Sequence, residues 1–405
     1  MTPAVAHVVT VGMDPAADPE GAAVAAALGA AGVLVLSRAL VEDDEGALAH
    51  ALGPDDALTV ILAGAGGSAG DVVRRVLARA AGARLVLNER MLAALEERYR
   101  RVDRPLPRRA ERLALLPQGA TVWVPAPGEP AWALESGARA FVVLPRDGGV
   151  GAALTEHLVP FARARVAGRG ALLTWTLRTA GAGAAELEER LAEWLGQPAR
   201  GAEVSVVPAD GEVWVRLRAP GASAEDAAQA LAPVEAAVAA ALGADCYGRD
   251  AETLELVVAR RLLARGLTLA VAESCTGGLL GHRLTNVPGS SGYFERGVLA
   301  YGNRAKQELL GVPEEVLRAH GAVSAPCAEA MARGIVERSG SACGLAITGV
   351  AGPDGGTPAK PVGTVFVGLA HGGAVTSRHF RFAGDRARVK WQSTQMALDM
   401  LRRAL

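Results

Sequence analysis

Three short apolar runs, each broken off by a glycine-rich polar turn, limit the folds open to this sequence more than any other feature. Residues 57–63 run into Gly64-Ala65-Gly66-Gly67-Ser68-Ala69. Residues 268–272 run into Glu273-Ser274-Cys275-Thr276-Gly277-Gly278. Residues 343–348 run into Gly349-Val350-Ala351-Gly352-Pro353-Asp354-Gly355-Gly356. A strand that is apolar throughout must be covered on both faces, the condition of a strand held between helical layers. The surrounding pattern agrees. Helices are expected over 21–28, 45–52 and 71–81, alternating with strands at 5–11, 32–36 and 140–144. Beyond residue 250, helices are expected over 252–265, 304–310, 324–338 and 385–405, with strands at 297–301, 362–370 and 375–382. Such alternation predicts an α/β layered domain at each end of the chain.

Between them the pattern changes. Residues 171–177 and 213–218 alternate as half-buried strands do, and 184–195 and 224–242 read as helices. Pro233 lies inside the second helix and should kink or split it. This is a small α+β module with no acid–base cluster. A chain of 405 residues accommodates two or three domains. The expected divisions are 1–165, 166–248 and 250–405.

Charge narrows the function. Lys+Arg is 42 and Asp+Glu is 43, a net charge of −1, which gives no electrostatic footprint for nucleic acid or an anionic membrane. No run is expected to be long and charge-free enough to cross a bilayer. No basic region precedes the first strand, so no secretory signal is expected. Cys246, Cys275, Cys327 and Cys343 form no C-x-x-C pair and read as free thiols of a reducing cytoplasm. The seven histidines are scattered without metal spacing, so none reads as a metal ligand, and no cofactor is expected.

The chemistry concentrates in the last third. Ser274 follows a buried strand and precedes a helix, where α/β sheets bind ligands. That helix start offers backbone N–H groups to an anion or oxyanion. The other reading of the segment is a tight turn capped by Ser and Thr. Only Lys306, Lys360 and Lys390 are lysines among the 42 basic residues. Lysine can serve as a neutral amine base and arginine cannot. A serine hydroxyl needs such a base. Lys306 follows Tyr301-Gly302-Asn303-Arg304-Ala305, with Tyr301 expected to end a strand. If these loops meet Ser274, a desolvated Lys306 is the base and the Tyr301 hydroxyl relays the proton or fixes geometry. Otherwise Lys306 is a solvated surface lysine.

The glycines of 348–356, including Gly349 and Gly352 after Thr348, permit close backbone approach to a ligand or simply make a turn. Gly384-Asp385-Arg386 reads first as an Asp N-cap with a solvated Arg386 and Arg388 face, and second as a phosphate-facing arginine. Residues 64–69 fit G-x-G-x-x-A, a weak dinucleotide signal in a chain with 49 glycines.

Several motifs in a fixed order carry a more specific resemblance. They are Ala272–Gly278, Pro288-Gly289-Ser290-Ser291-Gly292-Tyr293-Phe294, Tyr301–Lys306, Gly321-Ala322-Val323-Ser324, Thr348–Gly356 and Pro361-Val362-Gly363-Thr364-Val365. Together they closely resemble the C-terminal domain of the CinA family, the nicotinamide-nucleotide amidase type, over about residues 250 to 405. The resemblance implies metal-free hydrolysis of the carboxamide of nicotinamide mononucleotide, giving nicotinate mononucleotide and ammonia. It places the nucleophile on Ser274, the lysine on Lys306 and the assisting tyrosine on Tyr301. Thr276, Gly277, Gly278, Thr348, Gly349, Gly352 and Arg386 are the expected substrate-binding residues.

The whole chain resembles full-length members of that family. The resemblance implies an N-terminal molybdopterin-binding-like three-layer α/β domain of the MoaB/MogA type, a KH-like middle module and a three-layer C-terminal domain. A cytoplasmic homodimer without membrane or nucleic-acid partners is expected. Full-length members can carry a metal-dependent ADP-ribose pyrophosphatase in the first domain. Here that domain departs from the family. Gly12-Met13-Asp14-Pro15-Ala16, 63–72 and Pro145-Arg146-Asp147-Gly148-Gly149 have lost most loop acids and threonines, with Asp71 alone aligned. A divalent metal needs oxygen ligands, so the first domain is expected to be non-catalytic. The alternatives are a bifunctional enzyme that keeps the pyrophosphatase, and a non-enzymatic interaction protein of competence or DNA-damage response.

Overall fold

The computed structural model describes residues 3–12, 18–54, 57–63, 67–125, 129–146, 150–166, 169–196, 201–209 and 211–405. Residues 13–16 of the first departing loop, 64–66 of the glycine pattern and 147–149 lie outside the described residues. Contacts divide the chain into two units, Met1–Trp175 with Pro198–Glu203 and Leu217–Glu235, and Thr176–Gln197 with Val204–Arg216 and Ala236–Leu405. The residues of the middle module are shared between them.

The first unit contains β1 (Val5–Val11), α1 (Pro19–Ala30), β2 (Leu34–Val41), α2 (Glu45–Ala51), β3 (Leu58–Ala63), α3 (Gly67–Ala80), β4 (Leu85–Leu87), α4 (Glu89–Arg101), β5 (Leu115–Pro117), β6 (Thr121–Trp123), β7 (Ala131–Ser136), β8 (Arg139–Pro145), α5 (Gly151–Ala153) and α6 (Val159–Val166). Its main sheet has the order β2-β1-β3-β8-β7-β6. β1 lies parallel to β2 and β3, and β3 parallel to β8. Side chains alternate between two cores, as the two-residue period of a strand requires. Val8, Val60 and Leu62 pack with Val24 and Leu28 of α1, while Val9, Val11 and Ile61 pack with Leu77 of α3 and Leu95 of α4. This is the three-layer arrangement the sequence predicts. β2 runs to Val41 rather than stopping at 36, because its exposed Ser37 and Arg38 hide an edge strand from any search for apolar runs.

The middle segment supplies β9 (Ala171–Thr179), α7 (Ala184–Arg190), β10 (Glu203–Ala209), β11 (Glu212–Gly221), α8 (Ala224–Leu242) and β12 (Cys246–Arg249), with sheet order β10-β11-β9-β12. Helix α7 stops at Arg190, short of the expected 195. Helix α8 continues through Pro233 without splitting. One missing donor in a nineteen-residue helix is a local loss, and buried Leu231, Val234, Val238 and Leu242 hold both halves. The segment Ala224–Asp245 is long and apolar enough to cross a membrane by length and composition, with a mean hydropathy of 1.4 in its window. The sequence reading expected no such run. Its alanines, together with Leu231, Val234, Val238 and Leu242, supply the value.

The remainder of the second unit contains α9 (Leu254–Arg265), β13 (Leu269–Glu273), α10 (Leu279–Thr285), β14 (Phe294–Leu299), α11 (Asn303–Leu310), α12 (Glu314–His320), α13 (Ala325–Ser339), β15 (Cys343–Gly349), β16 (Thr364–His371), β17 (Ala374–Arg381) and α14 (Arg386–Ala404). The sheet order is β14-β13-β15-β16-β17. β14, β13 and β15 are parallel, and β16 and β17 continue the sheet antiparallel. Leu269 and Val271 face a core with α9, α10 and α14; Ala270 and Ala272 face a second core with Cys327, Met331 and Ile335 of α13. The small residues on the second face admit close packing. A Cβ on Gly334 of α13 would fall 1.8 Å from the Leu310 carbonyl oxygen, so glycine alone lets α13 pass the end of α11.

Candidate active site

Strand β13 is completely buried, and its last residue is an acid, Glu273, only 3% exposed. A buried carboxylate needs donors. Three backbone N–H groups supply them. Those of Gly278 and Leu280 donate to Oε2 at 3.1 and 3.0 Å, and that of Gly281 donates to Oε1 at 2.8 Å. The start of α10 is therefore filled by the chain's own anion. The expectation that these N–H groups are free for an oxyanion is overturned at Gly278. The Gly277 N–H is also taken, by the Ser274 carbonyl at 3.1 Å. Gly277 and Gly278 have φ of +63° and +93°, which favours glycine at both.

This turn fixes Ser274. Its N–H donates to the Ile347 carbonyl of β15 at 3.0 Å, and its side chain is nearly buried. Lys306, on the first turns of α11, is 1% exposed. Its Nζ lies 3.1 Å from Ser274 Oγ, 2.9 Å from the Ala300 carbonyl and 2.9 Å from the Tyr301 carbonyl. Burial holds the lysine below its usual pKa, opposed by Cys327 and Cys275. Lys306 is not a solvated surface lysine.

Tyr301 does not end a strand as expected. β14 stops at Leu299, having begun at Phe294 rather than 297. Exposed Glu295 and Arg296 hide its start from an apolar count. The two residues past its end turn their carbonyls to Lys306. The Tyr301 side chain is exposed, and its hydroxyl accepts from Arg386 at 3.2 Å. The hydroxyl contact is with Arg386, not with the serine–lysine pair.

Arg386 is more than a solvated residue behind a cap. Asp385 does cap α14, accepting from the Arg388 N–H at 2.8 Å. Arg386 reaches back to Tyr301 and donates to the Gly352 carbonyl at 2.7 Å. Thr348 donates its hydroxyl to the Ala322 carbonyl at 2.7 Å, which ties the end of β15 to the loop before α13. Gly349 pairs with Val365 as the last residue of β15. Thr276 is fully buried, and among the described residues its hydroxyl has no partner.

Cys275, beside the serine, is not an activated thiol. Burial pushes its thiol up to about 12. Among the described residues no group of three His, Cys, Asp or Glu side chains could hold a metal.

Sequence reasoning missed Glu273 as the organiser of the turn. The signal was present: an acid closing a buried apolar strand, with helix N–H groups next in sequence, has one obvious set of donors. The carbonyls of Ala300 and Tyr301 left no sequence signal.

Comparison with known proteins agrees with this layout. Residues 251–405 match the CinA C-terminal domain, 174–248 the damage-inducible protein CinA KH domain, and 11–160 a probable molybdopterin binding domain. A CinA-like protein of Gemmatimonas aurantiaca is 37% identical over 401 residues, covering 96% of this chain and 92% of the relative. One from Geobacter sulfurreducens is 40% identical over 396 residues, covering 96% and 95%. The solved competence/damage inducible protein CihA of Agrobacterium tumefaciens is 38% identical over 37% of this chain and 94% of its own, with a TM-score of 0.36. With relatives of this identity aligned over nearly its whole length, and three domain matches in order, the chain belongs to the CinA family.

Proposed function

We propose that the C-terminal domain hydrolyses the carboxamide of nicotinamide mononucleotide to nicotinate mononucleotide and ammonia, with Ser274 as nucleophile and Lys306 as its base. One observation carries the reading: the Lys306 amine, buried and held below its usual pKa, sits 3.1 Å from Ser274 Oγ. A neutral amine has two N–H donors and one lone pair. The carbonyls of Ala300 and Tyr301 take the two donors, which leaves the lone pair for the serine proton.

The chemistry then follows acyl transfer. Lys306 takes the proton as Ser274 Oγ bonds to the carboxamide carbon. The C–N bond breaks as Lys306 returns that proton to the leaving nitrogen, releasing ammonia. Water, deprotonated by Lys306, cleaves the acyl–serine ester and the proton goes back to Oγ. Arg386 holds the Tyr301 hydroxyl at the exposed rim, where that pair positions substrate.

The identity of the amide comes from the family resemblance, and the experiment addresses it directly. Ammonia release from nicotinamide mononucleotide is measured with EDTA present for wild type, Ser274→Ala and Lys306→Ala. Turnover that both variants lose supports the reading. A folded wild type without turnover overturns it and leaves a binding role as the better account.

A further inference from the structure

The middle segment reaches the helix that follows Ser274 through one carboxylate. Glu212 opens β11, and its side chain is 10% exposed. Four donors meet it. The Tyr247 hydroxyl of β12 donates to Oε1 at 2.6 Å, and the Trp214 indole N–H donates to Oε2 at 2.7 Å. Arg178 of β9 donates to Oε2 at 3.1 Å, with its guanidinium 4.5 Å from the Trp214 ring centroid. The fourth donor is the side-chain amide of Gln395 in α14. All these residues belong to the second unit.

Three of the four donors are the middle segment's own, so they fix the carboxylate that Gln395 meets. Gln395 passes the hold on. Its side-chain oxygen accepts from buried Arg283 of α10, which also donates to Thr394 at 2.7 Å and to Glu255 at 2.6 Å. A second contact runs beside the first. A Cβ on Gly211 would fall 3.2 Å from Trp391 Cδ1, and the Trp391 ring centroid lies 4.1 Å from the Arg283 guanidinium.

Helix α10 has only seven residues, fewer than an isolated helix needs to hold its shape in water. Leu280 and Leu284 bury its apolar side, but apolar burial has no direction. Its orientation comes from charged groups at two levels. Gly278, Leu280 and Gly281 give their N–H groups to Glu273. Arg283, about one turn beyond Leu280, is held by Glu255, Thr394 and Gln395. A shift of α10 at Arg283 therefore moves the N–H groups that hold Glu273, the neighbour of Ser274.

We propose that Glu212 is a positioning residue for the Ser274 turn: through Gln395 and Arg283 it sets α10 where its N–H groups grip Glu273. The middle segment thereby completes the candidate active site without touching substrate. That this setting serves amide hydrolysis rests on the function proposed above; the coupling from Glu212 to α10 does not.

The test uses the full chain and two readouts. Amide hydrogen exchange is followed by mass spectrometry over residues 276–284, and ammonia release from nicotinamide mononucleotide gives kcat and KM. The variants are Glu212→Gln, Glu212→Gln combined with Gln395→Glu, and Leu187→Ala. Leu187 is fully buried in α7 and takes no part in the network, so its truncation destabilises the middle segment alone. Glu212→Gln is expected to speed exchange over 276–284 about tenfold and to lower kcat with KM unchanged. The combined variant reverses donor and acceptor in the bond to position 395 and is expected to restore both. Leu187→Ala is expected to lower the melting temperature and leave exchange over 276–284 and kcat as in wild type. Exchange unchanged by Glu212→Gln, or raised as much by Leu187→Ala, overturns the proposal. Faster exchange in Glu212→Gln, in a protein whose wild type releases no ammonia, keeps the coupling and removes the amidase reading.

Discussion

Lys306 Nζ lies 3.1 Å from Ser274 Oγ, with its other two contacts made by backbone carbonyls rather than by any carboxylate. Among the described residues no carboxylate pairs with the ammonium there, and burial lowers the pKa. In the proposed mechanism Lys306 acts as base only when neutral. The expected pH profile of kcat/KM therefore has a limb that rises with pH, with its midpoint below the usual lysine value. Stability carries the same signature. Between the depressed pKa and the ordinary one, the unfolded chain holds a proton that the folded chain lacks, so stability rises with pH across that window. Denaturant titrations at several pH values should show this slope in wild type and lose it in Lys306→Met.

Ser274→Ala should lower turnover by about three orders of magnitude or more, the usual scale for loss of a nucleophile. Melting temperature should barely move, since only one hydroxyl is removed. Cys275 gives no bypass, because its thiol, at about 12, stays protonated at neutral pH. Iodoacetamide treatment of the folded protein is expected to leave ammonia release intact. Loss of activity on alkylation of Cys275 would point to the thiol instead.

Glu273 holds the turn in place from beneath. Hydrogen bonds to a charged group contribute about 1.5–3 kcal/mol each, and this carboxylate accepts three from the backbone. Glu273→Ala is expected to cost at least about 3 kcal/mol in chemical denaturation. Glu273→Gln keeps acceptor capacity on one atom only and should be intermediate in stability. Its kcat should fall further than its KM rises, because the turn that aims Ser274 is loosened.

Layer architecture was legible in the sequence because it follows from strand periodicity. Residues 268–272 read as one apolar strand, and the structure divides them, leucine and valine on one core and alanines on the other. Edge strands were read short, since β2 and β14 carry exposed charges where a buried strand would carry apolar residues. Ser274 and Lys306 were legible as residue types, but their contact depends on how β13 and the turn after β14 meet in space. The tasks of Arg386 and Thr348 were not legible either. Each bonds a backbone carbonyl far away in sequence, and main-chain acceptors have no letter of their own.

Arg283 of α10 ties the helix after Ser274 into a buried polar network. It is 3% exposed and donates to Glu255 at 2.6 Å, to Thr394 at 2.7 Å and to Gln395, with its guanidinium 4.1 Å from the Trp391 ring centroid. Gln395 continues to Glu212, which also accepts from Tyr247 at 2.6 Å and Trp214 at 2.7 Å. Removing one member of a buried charged pair costs about 3–5 kcal/mol. Arg283→Ala should show a loss of that size by urea denaturation. The double-mutant cycle of Arg283→Ala with Glu212→Ala should give a coupling of about 0.5–3 kcal/mol through the shared glutamine.

Asp71 decides what the N-terminal domain can still do. By the resemblance it is the acid expected to align with the family's loop carboxylates. One of its oxygens pairs with buried Arg74, and the other lies 3.4 Å from Arg112. A divalent cation would have to displace two guanidiniums from a single carboxylate and then find further oxygen ligands. Asp71, held in this way, is a poor ligand for such a cation, in line with the expectation that the first domain is non-catalytic. Added magnesium or manganese is therefore expected to leave the melting temperature of the full chain unchanged, because a ligand that binds the native state would raise it. ADP-ribose incubated with the same metals should be recovered intact. Metal-dependent cleavage that persists in Ser274→Ala would restore the bifunctional reading and show that Arg74 and Arg112 yield their hold on Asp71.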